Sequence, residues 1–139
     1  MTERVKVDAF LATWPYAGFI GMAARVDDGV LTSVLPFSPH LVGNPLIPAL
    51  HGGVVGGFLE LAALAELAAS APDGHAPRTV DITIDYLRPA KAATTYARAD
   101  VIKRGRRVAN IQVTAWQESR TSPVATLRGH FLMATNGGA

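Results

Sequence analysis

Acidic side chains are scarce where the chain is most apolar. Between Gly52 and Ser70 only Glu60 and Glu66 are ionisable, set among Val54, Val55, Phe58, Leu59, Leu61, Leu64, Leu67 and a run of alanines. Six positions separate the two glutamates, about 600° of helical rotation, so on a helix they point in different directions. A helix without a polar face is normally enclosed by protein. A carboxylate in such surroundings is poorly solvated, which makes it a more reactive base or nucleophile than one in water. Glu66, near the helix end, is expected at an exposed edge; Glu60 is open to either fate. His51-Gly52-Gly53 precede the stretch. The first N–H groups of a helix lack internal partners and carry positive partial charge, and glycine lets a ligand oxygen come close to them. Such donors stabilise a developing oxyanion, a large term in acyl transfer. A tight turn would use the same glycine pair. Gly56 and Gly57 lie inside the helix, each costing about 1 kcal/mol relative to Ala, so a sheet, a partner helix or a ligand must approach closely there.

Other chemistries lack their residues. There is no cysteine, which removes disulfides, thiolate metal sites and a cysteine nucleophile. His40, His51, His75 and His130 are scattered without ligand spacing, so no metal is expected. Neither a GxSxG elbow nor a GxGxxG or Walker loop occurs. The formal net charge of +2 is too mild to argue for nucleic acid. Apolar residues make up 49% and charged residues 17%, which fits a folded domain with a real core. The N-terminus shows no secretory h-region, and the two glutamates and four glycines of the apolar stretch argue against a membrane span, so a cytoplasmic protein is expected.

The elements that must position these residues follow from pattern. Asp8 to Trp14 reads as a short helix ended by Pro15. Phe19–Val26 and Val30–Leu35 read as strands joined by Asp27-Asp28-Gly29, a hairpin signal. Pro36, Pro39, Pro45 and Pro48 make 36–50 a loop. His51 to Ser70 is the main helix, closed by the Pro- and Gly-containing segment 71–77. Four strands follow at 78–87, 95–103, 108–117 and 124–134, expected as an antiparallel meander. In the first, Val80, Ile82, Ile84 and Tyr86 should share one side, and Thr79, Asp81, Thr83 and Asp85 the other. The sum is one α+β domain over 1–139: a long helix on a sheet of five or six strands.

Segment 44–62, NPLIPALHGGVVGGFLELA, resembles hotdog-fold thioesterases of the phenylacetate-degradation type in its His51-Gly52-Gly53 and in the acidic residue nine positions after the histidine, Glu60. Thr79 to Pro89, with its Tyr-x-x-Pro ending, is similar to that family's strand after the helix, and Gly105-Arg106-Arg107 to its next hairpin. The resemblance implies a hotdog fold, an antiparallel sheet wrapped around one central helix, and hydrolysis of an acyl- or aryl-CoA to free acid and coenzyme A. It implies Glu60 as nucleophile or general base, and the amide of Gly52, with Gly53, as carbonyl polariser. His51 would shape the turn and Thr79 would orient water. Relatives often carry Asn or Gln six residues before the histidine; that position is Pro45 here, with Asn44 one residue earlier as the alternative. No cofactor is implied beyond the coenzyme A of the substrate. Two other activities of the fold remain as rivals, an acyl-CoA hydratase or dehydratase and a non-catalytic acyl-CoA-binding protein.

Gly52 and Glu60 stand eight residues apart on one helix, roughly 12 Å along its axis. A single carbonyl must lie within about 3 Å of both donor and carboxylate. Two antiparallel copies about a two-fold axis would meet that need, so a homodimer with two composite sites is expected, as the family builds, often as a dimer of dimers. Lys103, Arg104, Arg106 and Arg107 put four cations around Gly105, candidates with Arg88 for the phosphates of coenzyme A, or simply a solvated turn. Phe19, Phe37, Leu41, Phe58 and Leu64 are candidates for an acyl pocket or for core. No nucleic-acid or membrane partner is expected.

Overall fold

A computed structural model of the chain describes residues 3–71 and 76–133. His75 and Ala134, both inside segments assigned above, lie outside the described residues. The chain opens with α1 (Glu3–Ala12) and α2 (Pro15–Ile20), then β1 (Ala23–Asp27) and β2 (Val30–Leu35). After a 3-10 turn at Pro39–Leu41 come α3 (Gly52–Ala69), β3 (Arg78–Tyr86), β4 (Thr95–Arg104), β5 (Val108–Trp116) and β6 (Ala125–Leu132).

The β1–β2 hairpin forms at the residues that signal it. Asp28 and Gly29 both take positive φ, 51° and 78°, and close the pair Asp27↔Val30. The expected strand from Phe19 is corrected. Pro15 sits at the start of α2, where its fixed φ and missing N–H suit a first helical turn. Ala17 and Ile20 are buried on the inner side of this helix, and Gly21 caps it at φ 81°. Phe19 and Ile20 therefore finish a helix, and β1 begins only at Ala23.

The six strands make one antiparallel sheet in the order β1-β2-β4-β5-β6-β3. Only β4-β5-β6 is a meander, so the four-strand meander is corrected as well. The link 87–94 bridges Lys91 to Ala49 and carries the chain from β3, on the outer edge beside β6, to β4, which docks on β2. Helix α3 fills the hollow of the sheet, with Phe58, Leu59, Leu61, Leu64 and Leu67 facing Ile111, Val113, Leu127 and Phe131 in one core. This is the helix-in-sheet arrangement of the hotdog fold. Helix α3 is long and apolar enough to cross a bilayer, yet it is buried within its own sheet.

Both helical glycines have a protein neighbour. A Cβ on Gly56 would meet Ile84 Cδ1 at 2.9 Å and Tyr86 Oη at 3.0 Å, and one on Gly57 would meet Tyr16 Cε2 at 2.7 Å. Side chains of β3 lie on one and a side chain of α2 on the other, so close that an added Cβ would force them to shift.

Candidate active site

His51 is the N-cap of α3, in extended conformation (φ −61°, ψ 132°), and its Nδ1 accepts the Gly53 N–H at 2.9 Å. Its carbonyl accepts from Val54 and Val55. The His51 N–H donates to the Leu41 carbonyl. Three of the four N–H groups that the helix start leaves without a regular internal partner, those of His51, Gly53 and Val54, are thereby used. The N–H of Gly52 meets no acceptor among the described residues. The ring of His51 is seated between two glycines: a Cβ would meet it at 2.9 Å from Gly43 and at 3.0 Å from Gly53. Of the two amides expected to polarise a carbonyl, Gly53 is thus engaged and Gly52 is open.

Around Gly52 lies a cleft of about 360 Å³, lined by Leu50, Gly52, Val55, Tyr86, Leu87 and Arg88 among others. Tyr86 Oη donates to the Gly52 carbonyl at 2.8 Å, tying the helix start to the end of β3. Arg88 donates to the carbonyl of Pro123 and forms part of the cleft wall. Asn44 lies in the loop before the helix, exposed, and its Oδ1 accepts the Leu46 N–H at 3.0 Å in an Asx turn. Phe58 is fully buried in the core rather than on the cleft, as are Leu41 and Leu64, whereas Phe19 is 63% exposed and Phe37 is exposed.

Glu60 is half-buried on α3, and Thr79 Oγ1 donates to its Oε2 at 2.7 Å. Alternation along β3 had put Thr79 opposite Ile82. A bulge at Val80 reverses this: Thr79 pairs with Phe131 and Asp81 with His130, leaving Val80 as the extra residue. Thr79 therefore joins Ile82 and Ile84 on the face toward the helix. The bulge needs Gly129, where a Cβ would lie 2.6 Å from the Asp81 carbonyl oxygen. Tyr16, beside Gly57 one turn before Glu60, has its phenol pKa raised by burial.

Gly52 and Glu60 occupy opposite ends of the sheet. Tyr86, bonded to Gly52, pairs with Ala125, and Thr79, bonded to Glu60, pairs with Phe131 seven residues earlier on β3, roughly 20 Å away. The cationic β4–β5 hairpin belongs to the Glu60 end, because Arg104, Ala109, Phe131 and Thr79 stand in one cross-strand row. Lys103, Arg104, Arg106 and Arg107 are exposed, and none makes an ion pair with a described residue. Tyr16, and Tyr86 as a contact of the helix start, are not among the site residues expected from the sequence. The glycines they press against, Gly56 and Gly57, were the available signal.

Residues 48–124 match the family model described as the thioesterase superfamily. A solved protein from Chromobacterium violaceum is 38% identical, with a TM-score of 0.76 over 96% of this chain and 93% of that one. A phenylacetic acid degradation-related protein from Ralstonia eutropha JMP134 is 27% identical, with a TM-score of 0.77 over 92% and 99%. A protein from Bacillus halodurans, solved with CoA, shares the fold at 22% identity and a TM-score of 0.76, over 96% and 89%. No curated protein sequence matches the chain.

Proposed function

We propose that this chain, which belongs to the thioesterase superfamily, hydrolyses the thioester of an acyl- or aryl-CoA to free acid and coenzyme A. The observation that carries the reading is the carboxylate of Glu60, half-buried on a helix whose one other ionisable residue is Glu66, and held by Thr79 at 2.7 Å. The open N–H of Gly52 at the head of the same helix supplies the second requirement of acyl transfer.

In the base-catalysed form, Glu60 takes a proton from water and the hydroxide oxygen attacks the thioester carbon. The carbonyl electron pair moves onto oxygen, and the Gly52 N–H donates a hydrogen bond to that oxyanion. Collapse of the tetrahedral species breaks the C–S bond, and the proton held by Glu60 passes to the departing sulfur. In the alternative, Glu60 itself attacks the thioester carbon and the C–S bond breaks, releasing the coenzyme A thiolate. Water then cleaves the mixed anhydride, giving the free acid, restoring the carboxylate and leaving a proton for the thiolate. Thr79, by donating to one carboxylate oxygen, leaves the other aimed for either role.

The separation of Gly52 from Glu60 calls for a second chain. A two-fold pairing that lays the start of one α3 beside Glu60 of the other would give two composite sites per dimer. The unpaired cations of the β4–β5 hairpin and Arg88 suit the phosphates of coenzyme A, a ligand carried by the Bacillus halodurans protein. His51 holds the turn that keeps Gly52 open.

The test is thiol release from a panel of acyl- and aryl-CoA esters, comparing the native chain with Glu60→Gln. Release by the native chain and its loss in the variant support hydrolysis. Tight CoA-ester binding without thiol release would sink it in favour of a binding protein.

A further inference from the structure

The outer face of the sheet, turned away from α3, carries a second cluster built on two aromatic rings. Tyr96 and Trp116 are cross-strand partners on β4 and β5 and stack with centroids 5.9 Å apart and planes 26° apart. The Arg25 guanidinium lies 5.3 Å from the Tyr96 centroid. Arg98 and Arg120 lie 5.8 and 5.4 Å from the same Trp116 centroid. Three arginines thus converge on one stacked pair.

Their polar partners differ. Arg25 is paired with Asp27 at 2.7 Å. Arg98 spends its Nε on Thr32 Oγ1 at 2.9 Å, which leaves both terminal nitrogens uncommitted. Arg120 makes no hydrogen bond or ion pair with a described residue. Asp100, next along the same face of β4, makes no ion pair with Arg98 either. Two like charges are therefore held within 6 Å of one indole centroid, Arg98 fixed by Thr32 as well, and no described acceptor takes their terminal N–H groups. An oxyanion bound at this ring would offset the two positive charges and accept the paired N–H groups that a guanidinium presents. Trp116 is only 8% exposed, so the ligand is held by charge and hydrogen bonds, with no ring free for stacking.

We propose that Arg98 and Arg120, held against Trp116, form a binding site for a phosphate-type oxyanion on the sheet face opposite the catalytic helix. The anion is either free phosphate or a phosphate of the coenzyme A nucleotide; the site recognises the group they share.

Trp116 is a built-in reporter. The chain has two tryptophans, so Trp14→Phe leaves a single indole and keeps the ring contact with Phe10. In that background, inorganic phosphate titrated against chloride at constant ionic strength should give a saturable change in fluorescence. Arg120→Gln removes an exposed loop side chain with little risk to folding, and should weaken the response at least tenfold; adding Arg98→Gln should abolish it. A response that is linear, equal with chloride, or unchanged in Arg120→Gln overturns the site. The same titration with the nucleotide half of coenzyme A separates the sources. Tighter binding than phosphate assigns the anion to the nucleotide, equal binding assigns it to free phosphate, and saturation by neither overturns the proposal.

Discussion

Gly52→Pro is the most selective perturbation the proposed mechanism allows. Gly52 is the first helical residue after the His51 cap, the one position where proline's fixed φ suits a helix and its missing N–H breaks no internal bond. The residue before a proline must be extended, and His51 already is, at φ −61° and ψ 132°. A Cβ at Gly52 meets nothing closer than Tyr86 Cε1 at 3.8 Å, an ordinary contact. The substitution thus deletes a hydrogen-bond donor and leaves the fold in place. Loss of one oxyanion donor costs about a hundred- to a thousandfold in kcat, roughly 2.7–4 kcal/mol. Gly52→Ala, which keeps the N–H, should retain activity within a few-fold and serves as the control. The assay is thiol release, and it extends to the two-chain geometry. Gly52→Pro and Glu60→Gln should each be inactive, yet equal amounts mixed under subunit exchange should recover about a quarter of native activity. Half of the dimers are then mixed, and each mixed dimer has one of its two sites intact. Full activity in Gly52→Pro would remove that amide from the mechanism. Two inactive variants that stay inactive when mixed, with exchange verified, would refute a site shared between chains.

Four further outcomes follow from the same geometry. Thr79→Val deletes the 2.7 Å hydrogen bond to Glu60 and should lower kcat about tenfold or more, with Thr79→Ser close to native; equal loss in both would point to packing instead. Gly129→Ala forces a Cβ to within 2.6 Å of the Asp81 carbonyl and should destabilise the fold by about 1–3 kcal/mol, read from the urea midpoint, with activity lost through Thr79 as well. Gly57→Ala gains roughly 1 kcal/mol of helix propensity but drives a Cβ to within 2.7 Å of Tyr16; net destabilisation should appear, and Tyr16→Ala in the same chain should relieve it. Charge reversal at Arg106 and Arg107 should raise KM for CoA esters at least tenfold while sparing a short thioester without the nucleotide, and equal effects on both would remove the hairpin from substrate binding.

What was legible in the sequence is what short-range physics decides. The α3 span, the Asp28-Gly29 turn and the alternation of Ala109, Ile111, Val113 and Ala115 against Asn110, Gln112, Thr114 and Trp116 all rest on neighbours in the chain, and each stands where pattern put it. Phe19–Ile20 misled because an apolar pair before a strand looks like strand; the deciding features were Pro15 as a helix opener and Gly21 in the left-handed region. The place of β3 was not legible at all. It is set by the link across the start of α3 and by pairing with β6, contacts some forty to fifty residues distant in the chain. In the candidate site, Glu60, Gly52 and His51 were legible because polar groups on an apolar helix and glycines at its head are conspicuous. Tyr86 and Tyr16 were not, since nothing local ties either ring to the helix glycine it meets.

The bulge at Val80 shows how a non-local feature completes the surroundings of Glu60. Strict alternation would place Thr79 on the outer face, with Asp81 and His130, a whole sheet thickness from Glu60. One extra residue on the edge strand shifts the phase, so Thr79 turns inward while Ile82 and Ile84 keep their core positions. The shift depends on Gly129 of β6, where the Asp81 carbonyl comes too close for any side chain. An edge strand absorbs such an insertion because only one neighbour must tolerate it. The hydroxyl bonded to the Glu60 carboxylate is therefore brought inward by a backbone irregularity, and the residue permitting it lies fifty positions away, on β6.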